Sequence, residues 1–532
     1  MAIPLIIGVT GHRDILTEDA GLLEDVVRRQ LIQLKTQCQH TPLRMLNSLA
    51  EGADQLCARI ALELEMELIV PLPMALCEYE KDFSGDALAS LYALLDKAKD
   101  VFVAPDREKK QREGRDYGYR QTGIYIASSS HLLLALWDGN LNDASTCGTG
   151  AVVEFMLHPT YACDDSPFKA MSDGVVLQIN TPRRSNLVLD EAYSVQILEN
   201  QTGVFQDALV HLERFNRDAG SLKMTSFSSF LDEETISHMG PISLTMHQHF
   251  QQADALSVLY RDKYLHSMLQ ISILGVLMVL SFLMYNQLNH SAYLMIYGAL
   301  LVVMVCVFQR TKNGQFQSRY LEYRALSESI RIQLYLELVG IQQNICESLT
   351  WPNHPKNVWI RDAVTALLVG PHEKAVLTEN ELKTVWMGEQ LTYHQRKRKG
   401  DIKKEALQSM TKKVMWGASL LSFLLVFVLR IFHDPGLMVS KEAVLLPRIF
   451  DIFMGVISAA AVFTSNYYGK LSLKRKIADH DKMMALYQVA LDLYDHPGIQ
   501  KKKVFLTLAK ESMIENGDWL TYCREETPSL LV

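Results

Sequence analysis

Leu5-Ile6-Ile7-Gly8-Val9-Thr10-Gly11-His12-Arg13-Asp14 opens the chain with an apolar run that ends in a small residue, a glycine and three polar groups. Residues 5–9 read as a buried strand, and the polar groups fall just before a helical stretch at 18–35. Further β-rich runs follow at 44–49, 67–70, 101–103, 132–137 and 175–179, separated by helical stretches at 52–64, 85–98 and 116–129. Strands that alternate with helices and are apolar almost throughout predict a parallel sheet covered on both faces. The expectation for residues 1–200 is therefore an α/β, Rossmann-like domain with its ligand beyond the carboxyl ends of the strands.

Downstream the pattern changes to uncharged apolar runs at 267–285, 291–308, 414–429 (extending past Arg430 to 432) and 449–468. A bilayer crossing needs roughly 20 apolar residues at about 1.5 Å each, so these predict an all-α membrane domain with four transmembrane helices. The connections at 286–290 and 433–448 are too short for domains, which makes two hairpins. Arg261, Lys263, Arg310, Lys312, the 396–413 stretch and the 470–476 stretch flank the other ends, and this bias predicts cytoplasmic N- and C-termini in a cell (inner) membrane. The first span begins far from the N-terminus and is not read as a cleaved signal peptide. The expected organisation is 1–200 as the α/β domain, 201–250 as a linker, 251–346 as the first hairpin with helical extensions, 347–412 as a cytosolic helical segment, and 413–532 as the second hairpin with a C-terminal helix.

A net charge of −7 over 532 residues includes that basic belt, which suits anionic lipid headgroups better than nucleic acid. Cys38, Cys57, Cys77, Cys147, Cys163, Cys306, Cys346 and Cys523 are scattered without metal-type spacing and are expected to be reduced thiols. Near the outer ends of the third and fourth spans, Arg430 and Asp451 fall at similar depth, where they form a pair, line an aqueous mouth or snorkel to the headgroups. Gly455, Ser458, Ala459, Ala460 and Ala461 give the fourth span a small-residue face, the expected oligomer contact.

Three turns carry the candidate chemistry. Gly11, His12, Arg13 and Asp14 follow the first strand; Ser48, Glu51, Gly52 and Asp54 follow the second; Asp138 and Gly139, then Gly148, Thr149, Gly150 and Glu154, follow the fifth. Glycines at helix N-termini let backbone N–H groups approach a phosphate, and the helix dipole favours its charge. Glycine is also used at such turns for backbone geometry alone. Arg13 matches phosphate oxygens with its fork, while Tyr119 and Arg120 reach in from a neighbouring helix or stay solvated. Trp137 stacks on a base or packs in the core. No metal cluster is visible.

These residues resemble the SLOG superfamily over about the first third of the chain. That family is Rossmann-like and includes the LOG phosphoribohydrolases, which activate cytokinins, and nucleotide-sensing domains of prokaryotic defence systems. The LOG enzymes carry Gly-Gly-x-Gly-Thr-x-x-Glu; here Cys147 and Ala151 replace the first Gly and the Thr, while Glu154 is retained. In those enzymes the Glu works with an Arg to cleave an N-glycosidic bond, so Glu154 is catalytic only if this chain is a hydrolase; otherwise it bonds a ribose hydroxyl or caps a helix. Tyr323-Arg324-Ala325 and Trp386, Gln390, Tyr393 and His394, with the helical extensions of the spans, resemble SLATT two-helix membrane modules. The two resemblances imply a membrane effector of antiviral defence, a homo-oligomer such as a tetramer, gated by a nucleotide messenger of ADP-ribose or cyclic type, without another cofactor. The alternatives are a membrane-tethered nucleotide N-glycosidase, a nucleotide-regulated ion channel unrelated to defence, and a binding module that the spans merely anchor.

Overall fold

The computed structural model describes all residues except 1, 17, 108–113, 141–146, 160–173, 185, 188, 190, 223–228, 372, 432–440, 470–471 and 526–532, together with the side chains of 348, 429–431, 441–447, 466 and 468. The chain forms two compact units. The first comprises Met1–Leu256, Tyr323–Glu379 and Phe505–Asp518; the second comprises Ser257–Glu322, Asn380–Val504 and Trp519–Val532.

In the first unit a sheet of seven strands carries β1 (Leu5–Gly11), β2 (Leu43–Leu46), β3 (Glu67–Leu72), β4 (Asp100–Val103), β5 (Leu132–Trp137), β6 (Val175–Asn180) and β7 (Val195–Glu199) in the order β4-β3-β2-β1-β5-β6-β7. All neighbours are parallel except β6 and β7. The central strands β1 and β5 are buried almost end to end, which explains why they lack the alternation of a half-exposed strand. The intervening helices are α1 (Ala20–Gln37), α2 (Ala53–Glu63), α3 (Leu76–Tyr79), α4 (Gly85–Leu95), α5 (Arg115–Ser129) and α6 (Thr149–Leu157). β7 was not expected from sequence: its residues are exposed or half-buried, so no apolar run marks it.

Residues 201–250, read as a linker, carry α7 (Val204–Gly220), α8 (Glu233–Ser237) and the start of α9 (Pro241–Leu288). Phe205, Leu209, Leu212 and Phe215 recur on one face of α7 and are buried. The Asn216 side chain accepts from Ile3 N–H at 2.9 Å and donates to Ile3 O at 2.8 Å, which ties α7 to the residue leading into β1. His131 Nδ1 accepts Ile6 N–H at 3.1 Å, and its Nε2 lies 2.9 Å from Asp362 O in α12 (Val358–Leu367). Helices α7 and α12 thus cover the amino edge of the central strands, leaving the carboxyl edge for a ligand.

The second unit is helical. It draws on α9, α10 (Ser291–Asn313), α11 (Phe316–Leu338), α13 (Glu379–Leu382), α14 (Glu389–Ile431), α15 (Lys441–Gly469), α16 (Leu473–Tyr494) and α17 (Lys501–Glu525), of which α9, α11, α13 and α17 also supply residues to the first unit. Among the described residues four helical stretches are long and apolar enough to cross a membrane, and they coincide with the four runs in the sequence. A Cβ on Gly275 would lie 2.3 Å from the Phe463 ring, and one on Gly455 would lie 2.5 Å from Leu283, so α9 and α15 touch through glycines. Ser419 and Ser458 Oγ atoms are 2.6 Å apart between α14 and α15. The small-residue face read as an oligomer contact is thus engaged within the chain at Gly455 and Ser458, and Ala461 is buried. Gln287 Nε2 donates to Asp451 at 3.4 Å, while the Arg430 side chain and residues 433–440 of the second connection lie outside the described residues, and 441–448 of that connection already belong to α15.

Candidate functional site

Strand order reverses between β1 and β5, since β2 to β4 lie on one side and β6 and β7 on the other. In an open parallel sheet the crevice beyond the carboxyl ends of such a strand pair is where ligands bind. Gly11 pairs with Leu136 at the end of this ladder, so residues 12–14 and the described residues 138–140 flank the crevice directly.

His12 and Asp138 join the two strands. Asp138 N–H donates to His12 Nε2 at 3.2 Å, and Asp138 Oδ1 is also 3.2 Å from that nitrogen. Asp138 further accepts from Asn140 N–H at 3.2 Å and from Asn186 Nδ2 at 3.3 Å, and Arg183 Nε is 3.1 Å from Oδ2. Burial alone would push this carboxyl up, but the Asn140, Asn186, His12 and Arg183 contacts offset it and hold Asp138 below the usual carboxylate range. Burial keeps the His12 imidazole below its usual range, so it is neutral near pH 7 and accepts the Asp138 N–H.

The turn after β2 packs against the turn after β1. Ala53 N–H donates to His12 O at 3.1 Å. Gly52 sits at φ +86, and a Cβ there would lie 2.4 Å from Arg13 O. A Cβ on Gly11 would lie 2.4 Å from the Ala53 Cβ. Protein contacts therefore account for both glycines, and phosphate approach is not needed to explain them. Asp54 faces inward at 4 % exposure, accepting from Ser48 Oγ at 3.1 Å, and burial raises its carboxyl to about 7. Glu51 is exposed.

Beside this turn the Arg13 guanidinium lies over the Tyr119 ring at 5.1 Å. The Tyr119 hydroxyl donates to Asp82, which also pairs with Arg115. Tyr79 donates to Ser48 O at 3.0 Å. Arg13 is exposed and Asp14 half-buried. Tyr79 and Asp82 were missed from sequence because the turn after β3 has no glycine, and Arg115 opens α5, of which only Tyr119 and Arg120 were singled out. Arg183 was missed too, although Thr181-Pro182-Arg183-Arg184 follows β6 and the rule applied to the other strands would have reached it.

Across the crevice, α6 starts with Gly148 as its N-cap residue and no side-chain cap. Val152 N–H returns to Gly148 O at 3.2 Å, so the preceding first-turn N–H groups at Thr149, Gly150 and Ala151 point out of the helix end. A Cβ on Gly150 would sit 3.3 Å from Asn140 O and 3.7 Å from Trp137 Nε1. Gly139 turns at φ +79. Trp137 is 3 % exposed and packs in the core rather than at the rim. Glu154 is half-buried, and Arg120 lies over the Phe155 ring next to it at 4.8 Å. The structure thus gathers Gly11 to Asp14, Asp138, Gly139 and Gly148 to Gly150 at one crevice, and buries Asp54 against Ser48.

The residues are equipped to hold an anion, with a helix end, an exposed arginine and an Arg–Asp–His network that fixes the two turns. Among the described residues no group of three or more His, Cys, Asp or Glu side chains is arranged for a metal. No family model matches the chain, and no curated protein matches it.

Proposed function

We propose that the protein is a nucleotide-gated membrane effector: the α/β unit binds a nucleotide messenger of ADP-ribose or cyclic type, and the apolar helices respond by opening a path through the bilayer. With SLOG-like and SLATT-like parts in one chain, its setting is prokaryotic antiviral defence, with both termini cytoplasmic and the chain acting as a homo-oligomer. The observation that carries this reading is the first turn of α6, opened by Gly148 and Gly150, at the crevice where strand order reverses. Helix α9 adds the route of response, since it runs from the first unit into an apolar span without a break. A ligand shifts such a protein only by binding one of its states better than the other.

The test uses the full chain in liposomes, with ADP-ribose and a panel of cyclic nucleotides as probes in calorimetry and dye efflux. Binding and efflux are expected to appear together and to be lost in Gly150→Asp, which puts a carboxylate at the helix end. Unaltered affinity in Gly150→Asp, or no binding by any probe, overturns the reading.

A second reading, a LOG-type N-glycosidase, is favoured by one observation: Arg120 lies over the ring of Phe155, the residue that follows Glu154 in α6. It requires free ribose phosphate or base to accumulate from a nucleotide and to vanish in Glu154→Gln.

A further inference from the structure

Within the first unit, away from the crevice, a cavity of about 130 Å³ opens between the segment after β4 and the helices. Its described lining carries the charged groups Asp106, Arg107, Glu337 and Glu373, with Asn344 and Thr365 among the neutral ones. Glu373 does a specific job there. It accepts from Ile242 N–H at 2.5 Å, Ser243 N–H at 3.2 Å and Ser243 Oγ at 2.8 Å, and so caps the N-terminus of α9 from a segment remote in sequence. A Cβ on Gly240 would lie 2.4 Å from the Glu373 carboxyl carbon, so glycine there lets the carboxylate sit this close.

Glu337 faces the same cavity from the last turn of α11, where a helix dipole disfavours negative charge. It accepts from Gln333 Nε2 at 3.2 Å. Arg107, a cation in the lining, lies over the Tyr125 ring at 5.3 Å and 3.8 Å from Glu347, and its charge, with the Gln333 hydrogen bond, offsets only part of the effect of burial on Glu337.

We propose that a proton on Glu337 keeps Glu373 seated on the first turn of α9, so that the cavity couples pH to the order of the helix that continues into the first apolar span. Ionisation of Glu337 would add a negative charge to the small cavity that already holds Glu373 and Asp106, and so oppose the seating of the Glu373 cap. Burial first, and Glu373 second, raise Glu337 from its ordinary 4.5 to about 7. Because the folded value is the higher one, the stabilisation is complete in acid and is lost as pH rises through about 7.

Hydrogen–deuterium exchange on the full chain in nanodiscs, corrected for intrinsic chemistry, reads this at the Ile242 and Ser243 amides. Wild type is expected to exchange several-fold faster at about pH 8 than at about pH 6. Glu337→Gln is expected to stay protected at both, and Glu373→Gln to be unprotected at both. Equal corrected protection of wild type at the two pH values overturns the proposal without any variant, and so does wild-type pH dependence in a folded Glu337→Gln.

Discussion

Asp138 N–H donates to His12 Nε2 at 3.2 Å, joining the two strands between which the sheet reverses its order. The contact fixes the turn after β1 against the turn after β5, and Arg183 secures it from the segment after β6.

Asp138→Ala removes the acceptor shared by Asn140 and Asn186 and the ion-pair partner of Arg183, and is expected to cost about 2 kcal/mol, read from thermal melting of the detergent-solubilised chain. Asp138 is held below its ordinary 3.8, so its contribution is present above that value and lost as acid titrates it. The gap between wild type and variant should therefore narrow below about pH 4. An unchanged melting point at neutral pH refutes the network.

Gly52→Ala combines a left-handed backbone at φ +86 with a clash against Arg13 O, and should destabilise by about 2 kcal/mol. Gly21→Ala, with open space around its Cβ in α1, is the control and should change stability by less than about 1 kcal/mol. Equal effects would show that the β1 and β2 turns do not pack as described.

Asp54 titrates in the opposite sense to Asp138. Its folded value of about 7 exceeds the ordinary 3.8, so its contribution to stability is complete in acid and falls as pH rises through about 7. Asp54→Asn keeps the shape without the buried charge. It should stabilise the chain at about pH 8 by up to about 4 kcal/mol, read as a higher melting point, and do less at about pH 5. Parallel pH–stability curves for the two proteins would contradict the assignment.

Gly275→Val should disrupt the approach of α9 to Phe463 on α15, whereas Gly298→Val on α10 meets nothing within 4 Å. The first is expected to lower thermal stability by about 2 kcal/mol and the second to be neutral. The comparison is made in the same detergent, and matching losses count against the α9–α15 contact.

The apolar runs of β1 and β5 announced buried parallel strands because a strand covered on both faces has no polar side to interrupt it. Edge strand β7 carried no such signal: Val195 and Ile197 are exposed, and their pairing with β6 comes from backbone hydrogen bonds that any sequence supplies. Helix α7 was legible in the spacing of Phe205, Leu209, Leu212 and Phe215, although the stretch was read as a linker. The candidate turns were found because glycines and polar groups follow strands. Which glycines serve packing was not legible, since the Gly11 and Gly52 contacts join segments about 40 residues apart, and sequence spacing does not measure such approaches.

By itself the sequence determined the alternation of strand and helix, the four membrane-length helices and the charge beside them, because hydrophobic period and length are local properties. Only the tertiary structure decided where strand order reverses, that Asp54 turns inward while Asp138 meets His12 and Arg183, and that Glu373 caps α9. Those relationships depend on which distant segments are brought within a few ångströms, a consequence of packing the whole core rather than of any one stretch.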